Sequence, residues 1–154
     1  MKLDRIDRQL LSLLQKDARA TAAELAEKVG LSASPCARRI RQLEQSGLIT
    51  GLHARLSREK LGLSITVFVH VRLSQHQEPV VVSFEKAVET MSEVISCYTV
   101  SGSFDYLLHV VVKDLVAYEN WVKRLQRLSM VNTIDSSFAI RSVKEFAPLD
   151  VQSS

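Results

Sequence analysis

Apolar positions in the first third of the chain recur every three or four residues, which is the spacing of one face of an α-helix. A first helix is predicted from about Asp4 to Gln15, and its apolar face is formed by Leu3, Ile6, Leu10, Leu13 and Leu14. Thr21 and Glu24 then have the spacing of a capping box, so a short second helix is predicted to begin there and to end at Gly30. The polar residues between these positions indicate helices that each bury one face.

A third helix follows a tight turn that is predicted at the letters GLS. Ser34 is the predicted N-cap and Pro35 the predicted first helical residue, where the missing N–H of proline costs nothing. The helix is predicted to end near Gln45, and its inward positions are Cys36, Ile40 and Leu43. A short helix, a tight turn and a further helix predict a helix-turn-helix unit. The apolar stretch LITGLHARLS that follows Gly47 is predicted to form a small strand or wing.

The pattern changes from helical to alternating in the rear half of the chain, beginning with a strand predicted at residues 65–73. Further strands are predicted at residues 95–102, 106–113 and 134–143, the last with Ile134, Phe138 and Ile140 on one face. One intervening helix begins at Pro79 with Val80, Phe84, Val88 and Met91 inward, and the other carries Leu115, Tyr118, Val122 and Leu125. The β-α-β-β-α-β order predicts an α+β protein whose C-terminal domain is ferredoxin-like, with an antiparallel sheet and both helices on one face.

The sheet face opposite the predicted helices combines apolar and polar side chains. Its predicted members are Phe68, His70, Leu107, Val111 and Ala139. This mixture is too apolar for open solvent, so we expect the same face of a second subunit to cover it. The domains expected are a helix-turn-helix DNA-binding domain at residues 1–56, a linker at 57–64, a βαββαβ domain at 65–146 and a C-terminal tail at 147–154.

The formal net charge of +3 is divided unevenly along the chain. Residues 1–60 contain 12 Lys and Arg against 7 Asp and Glu, which gives +5, whereas residues 61–154 contain 8 against 10, which gives −2. A basic front half beside a slightly acidic rear half indicates that the front half binds a polyanion.

Three arginines lie within four positions of the predicted third helix, and the first acidic residue after them is Glu44. Arginine binds phosphates and forms bidentate hydrogen bonds to guanine in the major groove, which is about 12 Å wide and admits one helix. A solvated helix face with incidental charges is the alternative, but the position after a helix-turn-helix turn favours DNA. The expected contacts are Ser32, Ser34, Pro35, Ala37, Arg38, Arg39 and Arg41, with Arg39 on a phosphate.

The segment SGSFDYLL at residues 101–108 joins two predicted strands. One interpretation is a β-hairpin in which Gly102 supplies the backbone angles of the turn. The other is a small-molecule site, because clustered backbone N–H groups beside Ser103 and Asp105 suit the carboxylate and the ammonium of an amino acid. The residues of this segment by themselves leave both interpretations open.

Three segments of the chain, in this order, resemble characteristic segments of the Lrp/AsnC family of amino-acid-responsive transcription regulators. They are LDRIDRQLLSLLQKDAR, GLSASPCARRIRQLEQSGLI and VSGSFDYLLHV; the resemblance extends over about residues 3–146 and is nearest to the leucine-responsive branch. It implies an N-terminal domain that binds double-stranded DNA and a C-terminal domain that forms homodimers, which commonly assemble into octamers. The function expected is sequence-specific transcriptional regulation in response to an amino acid or a related metabolite.

The resemblance also implies where the effector binds, at an interface between dimers. The implied contacts are Gly102, Ser103, Phe104, Asp105, Tyr106 and Ser136. Where the family often has a Thr-x-Thr pattern, this chain has TIDSSF. The effector therefore stays open among leucine, another branched or aromatic amino acid, and a catabolite such as kynurenine.

Other classes of protein are disfavoured by what the sequence lacks. It contains no phosphate-binding glycine loop, no HExxH and no nucleophile elbow, so an enzyme is not expected. The scattered histidines and the two cysteines, which are predicted to be buried thiols, indicate neither a metal site nor a cofactor. Because no apolar run approaches about 20 residues and the start of the chain is charged, a cytoplasmic protein with no membrane partner is expected. The alternative function is a nucleoid-organising DNA-binding protein with weak sequence preference, which the arginines fit equally well.

Overall fold

The chain divides into a helical unit and a sheet unit in the computed structural model, which describes residues 2–152. The helical unit comprises residues 2–55 and 143–152, and the sheet unit comprises residues 56–142. The segment predicted as a linker, 57–64, is thus grouped with the sheet, and the predicted C-terminal tail is grouped with the helices. Each unit has its own core of buried apolar side chains.

The helical unit is built from α1 (Arg5–Lys16), α2 (Ala22–Val29) and α3 (Ala33–Gln45). Its buried core consists of Leu10, Leu11, Leu14, Leu25, Ala26, Cys36 and Leu43. The capping box predicted for α2 is confirmed, because Thr21 Oγ1 accepts from the Glu24 N–H at 3.2 Å and the Glu24 carboxylate accepts from the Thr21 N–H at 2.7 Å. Gly30 ends α2 with a φ of 71°, the left-handed conformation expected of it.

The start of α3 differs from the prediction by two residues. Ser32 is the N-cap in place of Ser34, and Ser34 and Pro35 occupy the second and third helical positions. Proline is tolerated there because the first four N–H groups of a helix have no partner within it. The earlier start brings Ser34 into the first turn of the helix.

The segment after α3 contains no strand. Residues 48–57 form neither a helix nor a strand, so of the two alternatives predicted there, a small strand or a wing, the strand is wrong. Leu48 and Leu52 are 46% and 54% exposed, and only Ile49 packs against the helical core. Most of the apolar side chains of this segment therefore stay near the surface, and the segment does not pair as a strand.

Residues 149–151 pack onto α1. Leu149 exchanges two hydrogen bonds with the side-chain amide of Gln15, at 2.6 and 3.1 Å. The Val151 carbonyl accepts a hydrogen bond from the Arg8 guanidinium at 2.5 Å, and the Val151 side chain packs against the helical core. Residues 149–151 are consequently part of the folded helical unit.

The sheet unit has the predicted β-α-β-β-α-β order, which confirms the ferredoxin-like prediction. Its elements are β1 (Ile65–Leu73), α4 (Glu78–Glu89), β2 (Val94–Thr99), β3 (Tyr106–Val112), α5 (Leu115–Gln126) and β4 (Val131–Phe138). The strands lie in the order β2-β3-β1-β4, and all neighbours are antiparallel. The helix-covered face supplies the core, whose largest fully buried side chains are Trp121 and Phe84.

Several details of the predicted sheet are corrected. The last strand ends at Phe138 and not at residue 143, so Ile140 lies beyond it and is 99% exposed. Ala139 also lies beyond the strand, whereas Val111 alternates with Leu107 and His109 on the open face, as predicted, but is only 4% exposed. On α4, Val81, three residues before the buried Phe84, packs against the core in place of the predicted Val80, which lies four residues before it.

The sheet face opposite the helices keeps partly exposed aromatic side chains. Phe68 is 40% exposed and stacks on His109 of the neighbouring strand, with ring centroids 5.1 Å apart. Tyr98, on the edge strand β2, is 59% exposed and lies opposite Leu107. The apolar character predicted for this face is therefore present, although Ala139, one of its predicted members, lies beyond the last strand.

Candidate functional site

The exposed side of α3 carries a stripe of polar side chains. Ser34, Arg38 and Arg41 follow one another at intervals of four and three residues, which places them on one side of the helix. All three are exposed, and no hydrogen bond or ion pair joins Arg38 or Arg41 to another residue in the range 2–152. Gln42, one turn after Arg38, is also exposed and adds an amide that the sequence predictions omitted. These side chains are available to a polyanion.

Arg39 lies on a different side of α3 and is held by two carboxylates at the start of α1. Its Nη1 is 2.7 Å from Asp4 Oδ2 and 2.8 Å from Asp7 Oδ1. The hydrogen bonds to Asp7 and then Asp4 raise the pKa of Arg39. The pKa of Asp4 is lowered, first by the N–H of Asp7 and further by Arg39. A phosphate contact by Arg39 would compete with this ion pair. Asp4 and Asp7 are 35 and 32 positions away from Arg39 in the chain, so the residues of α3 alone do not predict the pair.

The remaining predicted DNA contacts lie around the start of α3. Ser32 is exposed, and its side chain makes no capping hydrogen bond to the helix. Pro35 and Ala37 are half-buried, and Ala37 lines a shallow groove together with Ile40. Serine and arginine side chains therefore extend farther from the helical unit than Pro35 and Ala37 do.

The connection between β2 and β3, residues 100–105, presents backbone donors without partners. The Val100 N–H donates to the Asp105 carbonyl at 2.9 Å and closes the connection at its base. Between these two residues, the N–H groups of residues 101–104 make no hydrogen bond within the part of the chain that the structure describes. Gly102 has a φ of 113°, which other residues rarely adopt, so the turn depends on it. Successive free N–H groups form a site for an anion such as a carboxylate.

Asp105 fixes this connection to β1 and to the segment after β1. Its Oδ2 accepts from the Leu73 N–H at 2.7 Å, its Oδ1 is 2.9 Å from His76 Nε2, and its own N–H donates to the Val71 carbonyl at 2.9 Å. Burial acts to raise the pKa of this carboxyl, but the bonds from Leu73 and His76 and the charge of Arg72 outweigh burial and hold the pKa below its usual value. Both carboxylate oxygens are thus engaged within the chain.

Arg72 holds the middle of the same connection. Its Nε donates to the Ser103 carbonyl at 2.6 Å, its Nη2 donates to the same oxygen, and its guanidinium carbon is 5.4 Å from the centre of the Phe104 ring. The sequence predictions singled out neither Arg72 nor His76. Strand register could have found Arg72, because Val71, its neighbour in β1, lies opposite Tyr106, the first residue of β3.

The two other residues implied as effector contacts face the helices. The Ser136 hydroxyl accepts a hydrogen bond from Tyr118 Oη of α5 at 2.5 Å. Tyr106 is 3% exposed and donates its hydroxyl to Glu85 of α4 at 2.9 Å; burial, and then Glu85, raise the pKa of Tyr106 to about 12. The structure therefore groups residues 102–105 in one connection, but no hydrogen bond links Ser136 to it among the described residues.

No group of three or more His, Cys, Asp or Glu side chains in the range 2–152 is placed to hold a metal ion. No helix in that range has the length and apolar character needed to cross a membrane. Cys36 is buried as predicted, whereas Cys97 is exposed, because β2 is an edge strand.

A helix-turn-helix unit with unpaired arginines on its second helix, followed by a sheet unit with unpaired backbone donors, defines a ligand-responsive DNA-binding regulator. Residues 3–50 match the winged helix-turn-helix DNA-binding family, and residues 66–149 match the Lrp/AsnC ligand binding domain. The chain belongs to the Lrp/AsnC family of transcription regulators.

Individual relatives agree with this assignment. The leucine-responsive regulatory protein of Klebsiella pneumoniae is 42% identical over 144 residues, which are 93% of this chain and 88% of that protein. The transcriptional regulator NMB0573 of Neisseria meningitidis, solved as a complex with L-Met, is 33% identical and superposes with a TM-score of 0.94 over 99% of both chains. An AsnC family regulator of Agrobacterium tumefaciens is 39% identical, with a TM-score of 0.91 over 96% of both chains. The two solved relatives are named transcriptional regulators, and the Klebsiella protein is named a regulatory protein.

Proposed function

We propose that this regulator binds its operators through Ser34, Arg38 and Arg41, and that an amino acid bound at residues 101–104 controls this binding. The observation that carries the proposal is the pair of exposed arginines without an acidic partner on the second helix of the helix-turn-helix. Of the three arginines of α3, Arg39 is already paired with Asp4 and Asp7 at the start of α1. Two cations therefore remain for phosphates or guanine edges.

The proposed effector is an amino acid whose carboxylate accepts hydrogen bonds from the N–H groups of residues 101–104. Four successive donors without a partner in the described chain support this assignment. The relatives named leucine-responsive, and the relative solved with L-Met, suggest an amino acid with an apolar side chain. Residues 101–104 are thus the proposed effector segment, and Asp105, Tyr106 and Ser136 stay predictions from the family resemblance.

The proposed assembly is a homodimer that associates further, up to octamers. The exposed aromatic side chains of Phe68 and Tyr98 on the face opposite the helices support a subunit interface there, because open solvent disfavours such a patch. Size-exclusion chromatography with light scattering tests this assembly, and a monomer at all concentrations would refute it. Because the partner is chromosomal DNA, we expect the protein to act in the cytoplasm.

The DNA-binding residues are tested with a variant that carries both Arg38→Ala and Arg41→Ala. Each lost arginine contact to a base or phosphate weakens binding, so promoter affinity should fall by at least about 100-fold for the pair. The matched control carries Lys86→Ala and Lys113→Ala, which remove the same charge from the sheet unit and should leave affinity within about twofold. A gel shift that persists in the arginine variant at physiological salt would refute the assignment.

The effector and the alternative function are tested with the unmodified protein. A thermal-shift screen of amino acids, led by L-leucine and L-methionine, should find a ligand that raises the melting temperature, because such a ligand binds only the native state. Competition with random DNA then separates the two DNA-binding functions. Equal affinity for promoter and random DNA would favour a nucleoid-organising protein over a specific regulator.

A further inference from the structure

Two side chains outside the proposed effector segment determine the shape of that segment. Arg72 is in β1, and His76 lies in the stretch between β1 and α4. Neither belongs to the connection between β2 and β3. Arg72 nevertheless contacts Ser103 and Phe104 of that connection, and His76 contacts Asp105, its last residue. Their effect on the backbone donors follows from the geometry of a single peptide unit.

The Ser103 carbonyl and the Phe104 N–H belong to the same trans peptide unit and point in opposite directions. Arg72 donates two hydrogen bonds to that carbonyl, one of them at 2.6 Å, and so holds it on the Arg72 side. The Phe104 N–H is consequently directed away from Arg72. The stacking of the guanidinium on the Phe104 ring, 5.4 Å from its centre, restricts the same peptide unit further.

His76 acts on the end of the connection through Asp105. Its Nε2 is 2.9 Å from Asp105 Oδ1, while the other oxygen accepts from the Leu73 N–H at 2.7 Å. The Asp105 carboxylate is therefore held between a side chain and the backbone of β1. Because the Asp105 N–H also donates to the Val71 carbonyl at 2.9 Å, the last residue of the connection has little freedom to rotate.

We propose that Arg72 and His76 are positioning residues, which hold the N–H groups of residues 101–104 in the arrangement that receives the carboxylate of the effector. The inference rests on the proposed function of that segment and assigns neither residue a contact with the ligand. The competing explanation is that Arg72 attracts the carboxylate directly by its positive charge. The two explanations differ in what a lysine at this position can do.

The first experiment measures the dissociation constants of L-leucine and L-methionine for the full chain by calorimetry. Lysine keeps the charge of Arg72 but lacks the planar fork that donates twice to one carbonyl and stacks on a ring. Arg72→Lys and Arg72→Gln should therefore both weaken binding about tenfold, the effect of losing a charge-assisted hydrogen bond. Lys113→Gln, which removes a charge just beyond the far end of β3, should have no effect. Full binding by the lysine variant would overturn the positioning role of Arg72.

The second pair of variants isolates the role of His76. Glutamine can donate a hydrogen bond to the Asp105 carboxylate, whereas alanine cannot. His76→Gln should retain affinity for the amino acid, and His76→Ala should weaken it several-fold. Promoter DNA affinity should stay unchanged in both variants, because His76 is not in the helical unit. Equal affinity of the alanine variant and the unmodified protein would overturn the proposal for His76.

A measurement made without ligand distinguishes a failure of this inference from a failure of the proposed function. Native-state hydrogen exchange of the full chain reports the amides of Leu73 and Asp105, which are protected by the bonds at the ends of the connection. Both should exchange faster in Arg72→Gln and His76→Ala than in Lys113→Gln. If the unmodified protein binds no amino acid, the proposed function fails, but faster exchange still supports the positioning role. Unchanged exchange in both variants would overturn it.

Discussion

Replacing Arg39 with alanine tests whether the middle arginine of α3 belongs to the fold or to the DNA interface. The substitution removes the cation that lies 2.8 Å from Asp7 and 2.7 Å from Asp4. The Asp7 side chain is only 10% exposed, so its carboxylate would keep the Asp4 N–H at 3.1 Å as a donor but would lose its charged partner. Asp4, which is 49% exposed, would be hydrated in place of the arginine.

The expected cost follows from the burial of the Asp7 carboxylate. A hydrogen bond between charged groups contributes about 1.5–3 kcal/mol, and solvent screening reduces this for a pair near the surface. Because the Arg39 side chain is 28% exposed, we expect a loss of about 1–2 kcal/mol in the free energy of unfolding. For a folded unit of this size, each kcal/mol lowers the melting temperature by roughly 4–8 °C.

Circular dichroism during thermal unfolding measures the loss, and Arg38→Ala is the matched control one position away. Arg38 is exposed and makes no hydrogen bond or ion pair within the described chain, so its replacement should change stability by less than about 0.5 kcal/mol. Arg38→Ala should instead lower promoter affinity. Arg39→Ala should retain the promoter affinity of the unmodified protein at temperatures where the variant is folded. An Arg39→Ala protein with the original melting temperature and the DNA defect of Arg38→Ala would refute the reasoning.

Two further predictions concern titration and the end of the chain. Burial and Glu85 raise the pKa of Tyr106 to about 12. The part of the free energy of unfolding that depends on its neutral phenol should therefore be fully present below about pH 10 and should be lost as the pH rises toward about 12. Denaturation curves should show this loss in the unmodified protein but not in Tyr106→Phe. A chain that ends at Pro148 should melt at a lower temperature because it lacks the Leu149 hydrogen bonds and Val151 packing, whereas a chain that ends at Gln152 should not. Equal melting temperatures of these two truncations would contradict the docking onto α1.

The features that the sequence predicts well are those determined by neighbouring residues. The capping box of Thr21 and Glu24 and the left-handed Gly30 need only a few residues of chain, and all are present as expected. The strand at residues 65–73 was predicted with its observed bounds, because strict alternation over nine residues has one structural solution. A boundary is predicted wrongly where two signals compete, as at α3, where Ser32 and Ser34 are both residues that suit an N-cap.

The features that the sequence hides depend on residues far apart in the chain. Arg39 and its carboxylates are separated by 35 and 32 positions, so an ion pair there follows only from the packing of α1 against α3. Arg72 and Ser103 are 31 positions apart and meet through the register of β1 and β3. The sequence makes Arg39 look available to DNA and gives no sign of a role for Arg72. Tertiary structure determines the role of both residues.

Ser136 shows how strand alternation restricts a role implied by resemblance. Ile134 and Phe138 were predicted to share one face of the last strand, and alternation places Ser136 on that same face. The observed bond from Tyr118 agrees, since Tyr118 is on α5 and α5 covers the helical face of the sheet. The backbone donors of residues 101–104 instead belong to the connection that Arg72 holds. An effect of Ser136 on effector binding within one chain would therefore have to act through Tyr118 and α5, whereas a direct contact would require the effector to reach the helical face.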